Sequence, residues 1–389
     1  MSRTYDVIVI GTGGIGSAAL YHLARSGVSV LGIDRFPAGH DRGSSHGESR
    51  MIRKSYFEHA DYVPLACRSW DMWQQLEQAS GRSLLRPSGV LYFGETHGLV
   101  MSGVRTSAES HGLPIEEMTA AEATRRFPQF VAPPDTSALY EEDAGVLLVE
   151  ECVKTHVEMA VAAGAKASLE ESVVDILPTD RSVTVRTEDN CYEAANVVVT
   201  TGAWTNGLLP ELQLPLRIVR KHLHWYHTDD QRLKMAEGCP AFFVEHQQGY
   251  FYGLPEIGPS GIKAGEHSGG SEVSDPLRDL REQEPLDTER VQRFVGDFMP
   301  EAACRPHQQK TCFYTMTPDE HFLVDRHPQH ARIVFTAGLS GHGFKFAPVL
   351  GQRMAQLALG ADSTGDATTG ELAARTAFLS CSRLNSGTE

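Results

Sequence analysis

At 389 residues the chain exceeds one ordinary core, so two domains or one elaborated α/β unit are expected. Apolar content of 41% and charged content of 22% are those of a soluble globular protein. A formal charge of −15 argues against nucleic acid and anionic membrane as partners, because both are polyanions, and no apolar run approaches a membrane span.

The first thirty-four residues organise the rest. Residues 6–10 are a short apolar, β-branched run that reads as a buried strand. It enters Gly11-Thr-Gly13-Gly14-Ile15-Gly16, and a helix is predicted over 15–25, with Gly27 able to end it. Residues 28–34 read as a second strand closing on Asp34. Strand, glycine turn, helix, strand and acid come in the order a dinucleotide site needs. Gly11 permits the tight turn, Gly13 lets backbone approach a pyrophosphate, and Gly16 lets helix pack close to strand. The helix N-terminus offers free N–H groups to phosphate. Asp34 can accept from a ribose hydroxyl pair and would repel a 2′-phosphate, which disfavours NADP; FAD and NAD both remain open.

A polar loop follows, with Arg35, Arg42, Ser44 and Ser45 able to hold further phosphate or ribose oxygens, or simply forming a solvated connection. Arg50 and Arg53 stand three apart, on one face if helical. With Arg42 and Lys54 they form a basic exception in an acidic chain, suited to a small anion. A helix is predicted over 62–76 and a strand over 88–94, then helices and connections to about residue 130. Pro133-Pro134 marks an expected boundary. Residues 145–149 lead into a helix over 150–162; 173–176, 183–185 and 197–202 are short strands. The last reads as a further parallel strand of the nucleotide domain, ending near the cofactor at Gly202-Ala-Trp204.

From 216 to about 298 aromatic and polar residues alternate, which suggests antiparallel strands lining a cavity. The charged stretch 274–284 reads as a surface excursion. Residues 332–338 are a strand, Gly341-His-Gly343 a turn and 349–359 an amphipathic helix, followed by a polar tail with no legible signal. Seven cysteines, odd in number and without Cys-x-x-Cys spacing, argue against a disulfide framework and a zinc site. With no leader expected ahead of the first strand, a cytoplasmic location is expected. The interrupted nucleotide domain is commoner in FAD oxidoreductases than in simple NAD dehydrogenases. The expected division is 1–87, 145–215 and 310–389 for the nucleotide domain, with 88–144 and 216–309 for a substrate domain.

Several blocks occur together in order: Ser44-Ser-His-Gly-Glu-Ser-Arg-Met-Ile-Arg53, Tyr252-Gly-Leu-Pro255 leading to Lys263 and His267, Cys312-Phe-Tyr314, Pro318-Asp-Glu-His-Phe-Leu-Val-Asp325, and Gly338-Leu-Ser-Gly-His-Gly-Phe-Lys-Phe346. On these the chain resembles the monomeric sarcosine oxidase and N-methyltryptophan oxidase family of FAD-dependent amine oxidases. The resemblance covers all but the C-terminal tail. It implies an α/β fold with α+β insertions: a Rossmann-like FAD-binding domain and a second, substrate domain on a mostly antiparallel sheet.

Read alone, Cys312 is a small core hydrophobe like most cysteines. The resemblance implies that it carries FAD through a thioether to the flavin 8α-methyl group. Lys263 lies oddly between apolar strand residues, and by pattern could be an edge lysine reaching solvent. The resemblance places it over the flavin, where a fixed cation stabilises charge developing on O2. It further implies that Arg53 and Lys345 bind a substrate carboxylate while Arg50 stands nearer the flavin. The alternative for the arginine pair is a surface ion pair with Glu48 or Glu58. His267, Tyr252 and Tyr314 match substrate-side positions, and a histidine can bias an amine toward its reactive neutral form. Phe243 departs from the sarcosine-specific pattern, which has methionine there. Val173, Gly202, Trp204, Gly338, Gly341, Gly343 and Phe344, with Lys345 again, complete the expected cofactor contacts.

The implied reaction is oxidation of an N-methyl or cyclic amino acid to an imine that hydrolyses, with O2 reduced to hydrogen peroxide by a monomeric enzyme. Two alternatives remain at this point: an FAD-dependent amino-acid dehydrogenase passing electrons to another carrier, and a non-catalytic flavin-binding protein.

Overall fold

A computed structural model describes residues 3–302, 306–360 and 367–385; Cys304 and tail residues 386–389 lie outside the described residues. The strand Arg3–Ile10 lies between Val30–Asp34 and Cys191–Val199, parallel to both. Lys166–Leu169 extends the sheet beyond Val30–Asp34, and Ile333–Ala337 joins Cys191–Val199, again parallel. Val7, Ile8, Val9 and Ile10 are all buried, as a central strand covered on both faces requires. A meander of Val173–Pro178 and Val183–Thr187 continues one edge, and Leu323–Arg326 pairs antiparallel with Ile333–Ala337.

The helix Gly14–Arg25 covers this sheet, flanked by the helices Val149–Ala162 and Ala347–Leu359. Its close approach depends on the glycine turn. Gly11 has φ +86°, a region that suits glycine. A Cβ on Gly16 would run into the Gly11 carbonyl oxygen and Thr200 Oγ1. Gly16→Ala is therefore expected to cost about 1–3 kcal/mol by overpacking. Thermal melting and the fraction of protein purified with bound flavin should both fall.

The second sheet has nine strands and is antiparallel except where Ala241–His246 pairs with Val90–Gly94. Its centre is Arg217–Tyr226, Ile262–Glu266 and Gly249–Leu254. The helix Pro285–Phe298 packs on it through stacked rings: Phe294 lies over Phe251 at 4.3 Å, and Phe298 over Phe130 at 5.0 Å. A small third sheet, Ser49–Ile52, Leu85–Pro87 and Gly145–Leu148, completes the strands. No described helix is long and apolar enough to cross a membrane.

Two expectations are corrected, and two open readings are resolved. Gln308–Met316, expected to open the last nucleotide-binding segment, pairs with Arg217–Tyr226 in the second sheet, placing Lys221 opposite Cys312. The segment carrying Arg50 and Arg53 is not a helix: Ser49–Ile52 is a strand paired with Gly145–Leu148, and Arg53 follows its end. Pro133-Pro134 is no boundary: Glu116–Thr119 before it and Ser137–Glu141 after it are neighbouring strands. The tail, in which the sequence carried no legible signal, is folded in its described part, with the helix Ala367–Arg375 and with Leu372 and Leu379 fully buried.

Candidate active site

One cavity of about 780 Å³ runs from the glycine turn to the second sheet. At the first end it is walled by Gly11, Gly13, Gly14, Ile15, Asp34, Arg35, Val173, Gly202 and Trp204. Asp34 Oδ2 accepts from the Thr12 amide at 2.6 Å and Oδ1 from the Phe36 amide at 3.0 Å. That grip fixes the carboxylate on the wall. Ser45 Oγ accepts from the Gly14 amide at 3.1 Å, at the helix N-terminus. Ser44, also on the wall, donates its hydroxyl to the Phe313 carbonyl at 2.5 Å. Gly16 lies behind the wall in its packing role. Arg42 does not reach the cavity: its side chain is 57% exposed beside Asp41, and Arg281 takes its carbonyl.

This end fits the ADP half of FAD. A Cβ on Gly13 would meet nothing nearer than Ser45 Oγ at 3.8 Å, so backbone there is open to phosphate. Trp204 Nε1 is buried on the wall without a protein partner, a donor left for a ligand. The stretch 274–284 is a loop, as expected, but Ser274, Asp275, Pro276 and Leu277 close over the cavity. Its acidic sequence gave no hint of that.

At the other end the wall carries Arg50, Arg53, Phe243, Tyr252, His267, Cys312, Tyr314, Gly338, Gly341, Gly343, Phe344 and Lys345. Residues from three sheets thus meet here. Arg50 donates to the Ser44 carbonyl at 2.7 Å and the Ser49 carbonyl at 2.8 Å. Lys263 stands one layer behind, with Nζ donating to the Ser49 carbonyl at 2.6 Å and the Gly47 carbonyl at 2.9 Å. Burial pulls its pKa well down, and Arg50 adds to that. Cys312 is buried among Leu223, Trp225, Tyr252 and Tyr314. Burial pushes its thiol up, opposed by Arg50, Lys263 and Lys221.

Lys345 donates to the His342 carbonyl at 2.8 Å and to Tyr56 OH at 3.2 Å. Burial, then Arg53, pulls its pKa to about 7. Arg53 is held by Glu58, with Nη2 at 2.7 Å from both carboxylate oxygens. The ion pair with Glu58 is therefore real, yet it lies inside the cavity wall and not on the surface. Burial works against a charged Glu58, but Arg53 chiefly, with His342 and Lys345, holds its carboxyl at about 2. Glu48 does not pair with either arginine; it accepts from Trp225 Nε1 at 3.0 Å.

Glu58 and His342 were missed as site residues. Only the Arg53-Lys-Ser-Tyr-Phe-Glu58 spacing hinted at the first, and the Gly-His-Gly turn at the second. His267 lies 3.4 Å from Tyr314 OH, and burial pulls its pKa to about 3, so the imidazole is neutral at pH 7. Phe243 packs against Phe57 at 5.1 Å and His267 at 5.6 Å, giving the wall an aromatic face.

A dinucleotide cradle continuous with a cation-lined, aromatic-walled chamber defines a flavin-dependent amine oxidase. The sequence profile of the FAD dependent oxidoreductase family matches residues 6–357, and the chain belongs to that family. Within it the chain falls with the monomeric sarcosine oxidases and N-methyltryptophan oxidases. It is 35% identical over 364 residues to monomeric sarcosine oxidase of Arthrobacter sp. (strain TE1826), covering 92% of this chain and 93% of that protein. Identity is 39% over 364 residues to the monomeric sarcosine oxidase of Streptomyces avermitilis, covering 92% and 94%. It is 36% over 355 residues to N-methyl-L-tryptophan oxidase of Yersinia pestis (strain Pestoides F), covering 90% and 93%.

Two solved structures share the fold. The open form of NikD, an amino acid oxidase, superposes with a TM-score of 0.84 at 24% identity, covering 97% of this chain and 98% of that one. L-proline dehydrogenase from P. horikoshii gives 0.83 at 20% identity, covering 100% and 99%.

Proposed function

We propose that the enzyme oxidises a secondary amino acid, N-methylated or cyclic, at a carbon next to its nitrogen, and that dioxygen is the final acceptor. The observation that carries this is the placement of Arg53 and Lys345 on the cavity wall facing an aromatic side with a neutral His267. An ammonium suits a carboxylate as a point charge, and a guanidinium as a fork once Arg53 exchanges Glu58 for the substrate. When bound, FAD supplies acceptance of two electrons from the substrate carbon and their delivery to O2.

The protein's own part is binding and proton placement. Arg53 and Lys345 hold the carboxylate, so the amine points toward His267 and Tyr314. His267, with its pKa near 3, adds no positive charge beside the amine, which favours the neutral nitrogen that can release electrons. Phe243, backed by Phe57, keeps water from the apolar substituent. The imine hydrolyses after release. Covalent attachment through Cys312 and O2 activation beside Lys263 belong to the same proposal, as does a monomeric enzyme.

An anaerobic screen tests it. N-methyl amino acids, proline and pipecolate are mixed with purified protein, and loss of the oxidised flavin absorbance is followed. Bleaching by at least one is expected; bleaching by none, or by primary amines alone, overturns the reading.

Lys345 gives a pH-dependent corollary. Its pKa near 7 means the free enzyme loses this charge as pH rises through neutrality. A bound carboxylate stabilises the charged form, so affinity weakens above pH 7 by up to about tenfold per unit. The dissociation constant of propionate, which lacks an amine, should show this rise. Lys345→Arg should remove it, because a guanidinium stays charged.

A further inference from the structure

Residues beyond 357 lie outside the matched family profile, yet the described part of the C-terminal segment is docked at several points. Leu372 and Leu379 enter the main core. Phe378 packs edge-on against Tyr62 at 5.1 Å and lies 6.0 Å from the rings of both His59 and His321. Arg383 then grips the turn that precedes the strand Leu323–Arg326. Its Nε meets Asp319 Oδ2 at 2.7 Å, and Nη2 donates to Asp319 Oδ1 at 3.2 Å and to the His321 carbonyl at 2.8 Å. An exposed ion pair is worth little by itself. Here a planar fork spans a carboxylate and a carbonyl on one turn, which fixes orientation as well as distance.

Between those two gripped residues sits Glu320, a non-glycine residue at φ +59°. Such a conformation persists only where the surroundings hold it. The Glu320 carbonyl accepts from His342 Nε2 at 3.1 Å. With Nε2 as donor, His342 Nδ1 is the acceptor of a hydrogen bond from the Tyr56 hydroxyl at 2.7 Å. Tyr56 OH is then free to accept from Lys345 Nζ, whose second acceptor is the His342 carbonyl. The chain of contacts from Arg383 to Lys345 is unbroken.

We propose that Arg383 is a positioning residue for the substrate-binding Lys345, acting through the 319–321 turn, His342 and Tyr56. This rests on the reading that Lys345 binds the substrate carboxylate. Loss of the Arg383 grip lets the Glu320 carbonyl relax. His342 then loses the partner that sets its tautomer, and Lys345 loses its fixed position.

The test compares Arg383→Ala, Arg383→Lys, Asp319→Asn and Lys345→Met in the flavin-loaded enzyme. Propionate affinity is read from the flavin absorbance change, alongside KM, kcat and melting temperature. Arg383→Ala should weaken propionate and raise KM about tenfold, with kcat within about twofold. Arg383→Lys should recover part of the loss, since an ammonium can meet Asp319 but cannot span to the His321 carbonyl. Asp319→Asn, which keeps the shape of the turn, should move affinity in the same direction and guards against a tail that fails to dock in Arg383→Ala. If Lys345→Met weakens propionate while both Arg383→Ala and Asp319→Asn leave it unchanged, the positioning role is overturned. If Lys345→Met itself changes nothing, the carboxylate reading falls and the proposal with it. A loss confined to melting temperature, with KM and kcat unmoved, would mark the segment as structural and also overturn it.

Discussion

Lys263→Met is expected to slow peroxide formation by about 10²–10³-fold, the loss that follows removal of one preorganised charge from a reacting centre. Anaerobic bleaching by substrate should stay close to that of the unchanged enzyme. The separation follows from place. Lys263 Nζ is anchored on the Ser49 and Gly47 carbonyls, behind the cavity wall, whereas Lys345 and Arg53, the proposed carboxylate holders, stand on that wall. Its burial makes the cation expensive, so it loses its proton well below the ordinary lysine range, with Glu150 and Glu48 resisting. Peroxide formation should therefore also decline as pH rises, and the decline should vanish in Lys263→Arg. Rapid mixing of anaerobically bleached enzyme with air-saturated buffer reads the step directly. An unchanged rate in Lys263→Met would remove this lysine from oxygen chemistry.

Cys312→Ser is expected to convert acid-insoluble yellow protein into a colourless precipitate under a yellow supernatant. A thioether survives acid precipitation, while an FAD held only by hydrogen bonds and packing does not. Among the described cysteines, Cys312 is the one on the cavity wall, where burial raises its thiol pKa and the cations Arg50, Lys263 and Lys221 oppose that rise. The same change shows as loss of the fluorescent band from a denaturing gel. A wild-type protein that already releases its colour in acid would end the covalent proposal.

Local patterns were legible where local rules decide the structure. The run from Asp6 to Asp34 has a strand period, a glycine turn and a helix that need no distant partner to be recognised. Strand pairing is different, because partners far apart in sequence choose each other. Gln308–Met316 carries no mark that assigns it to Arg217–Tyr226 and not to the nucleotide sheet. The two arginines show the same limit. Their spacing put them on one face only if the segment were helical, but pairing with Gly145–Leu148 stretches it, and Arg53 reaches the cavity from just beyond the strand end. Glu58 looked like a surface partner because burial cannot be read from a charged residue's identity. The cations named from motif resemblance do meet on or just behind one wall, Arg42 apart.

The sheet that holds the glycine turn is threaded from segments more than three hundred residues apart: one central strand is Arg3–Ile10, and Ile333–Ala337 pairs with its neighbour Cys191–Val199. The helix beginning at Gly14 leans on one that ends at Leu359. During synthesis on the ribosome, the βαβ unit of residues 3–34 must therefore wait, incompletely covered, until Ile333–Ala337 and Ala347–Leu359 have been made. Long-range closures of this kind are slow and leave apolar strand surface exposed meanwhile. Shortened translation products should consequently aggregate in place of forming a smaller nucleotide-binding protein, and chaperone dependence should be greatest for chains stalled before Ile333–Ala337 emerges.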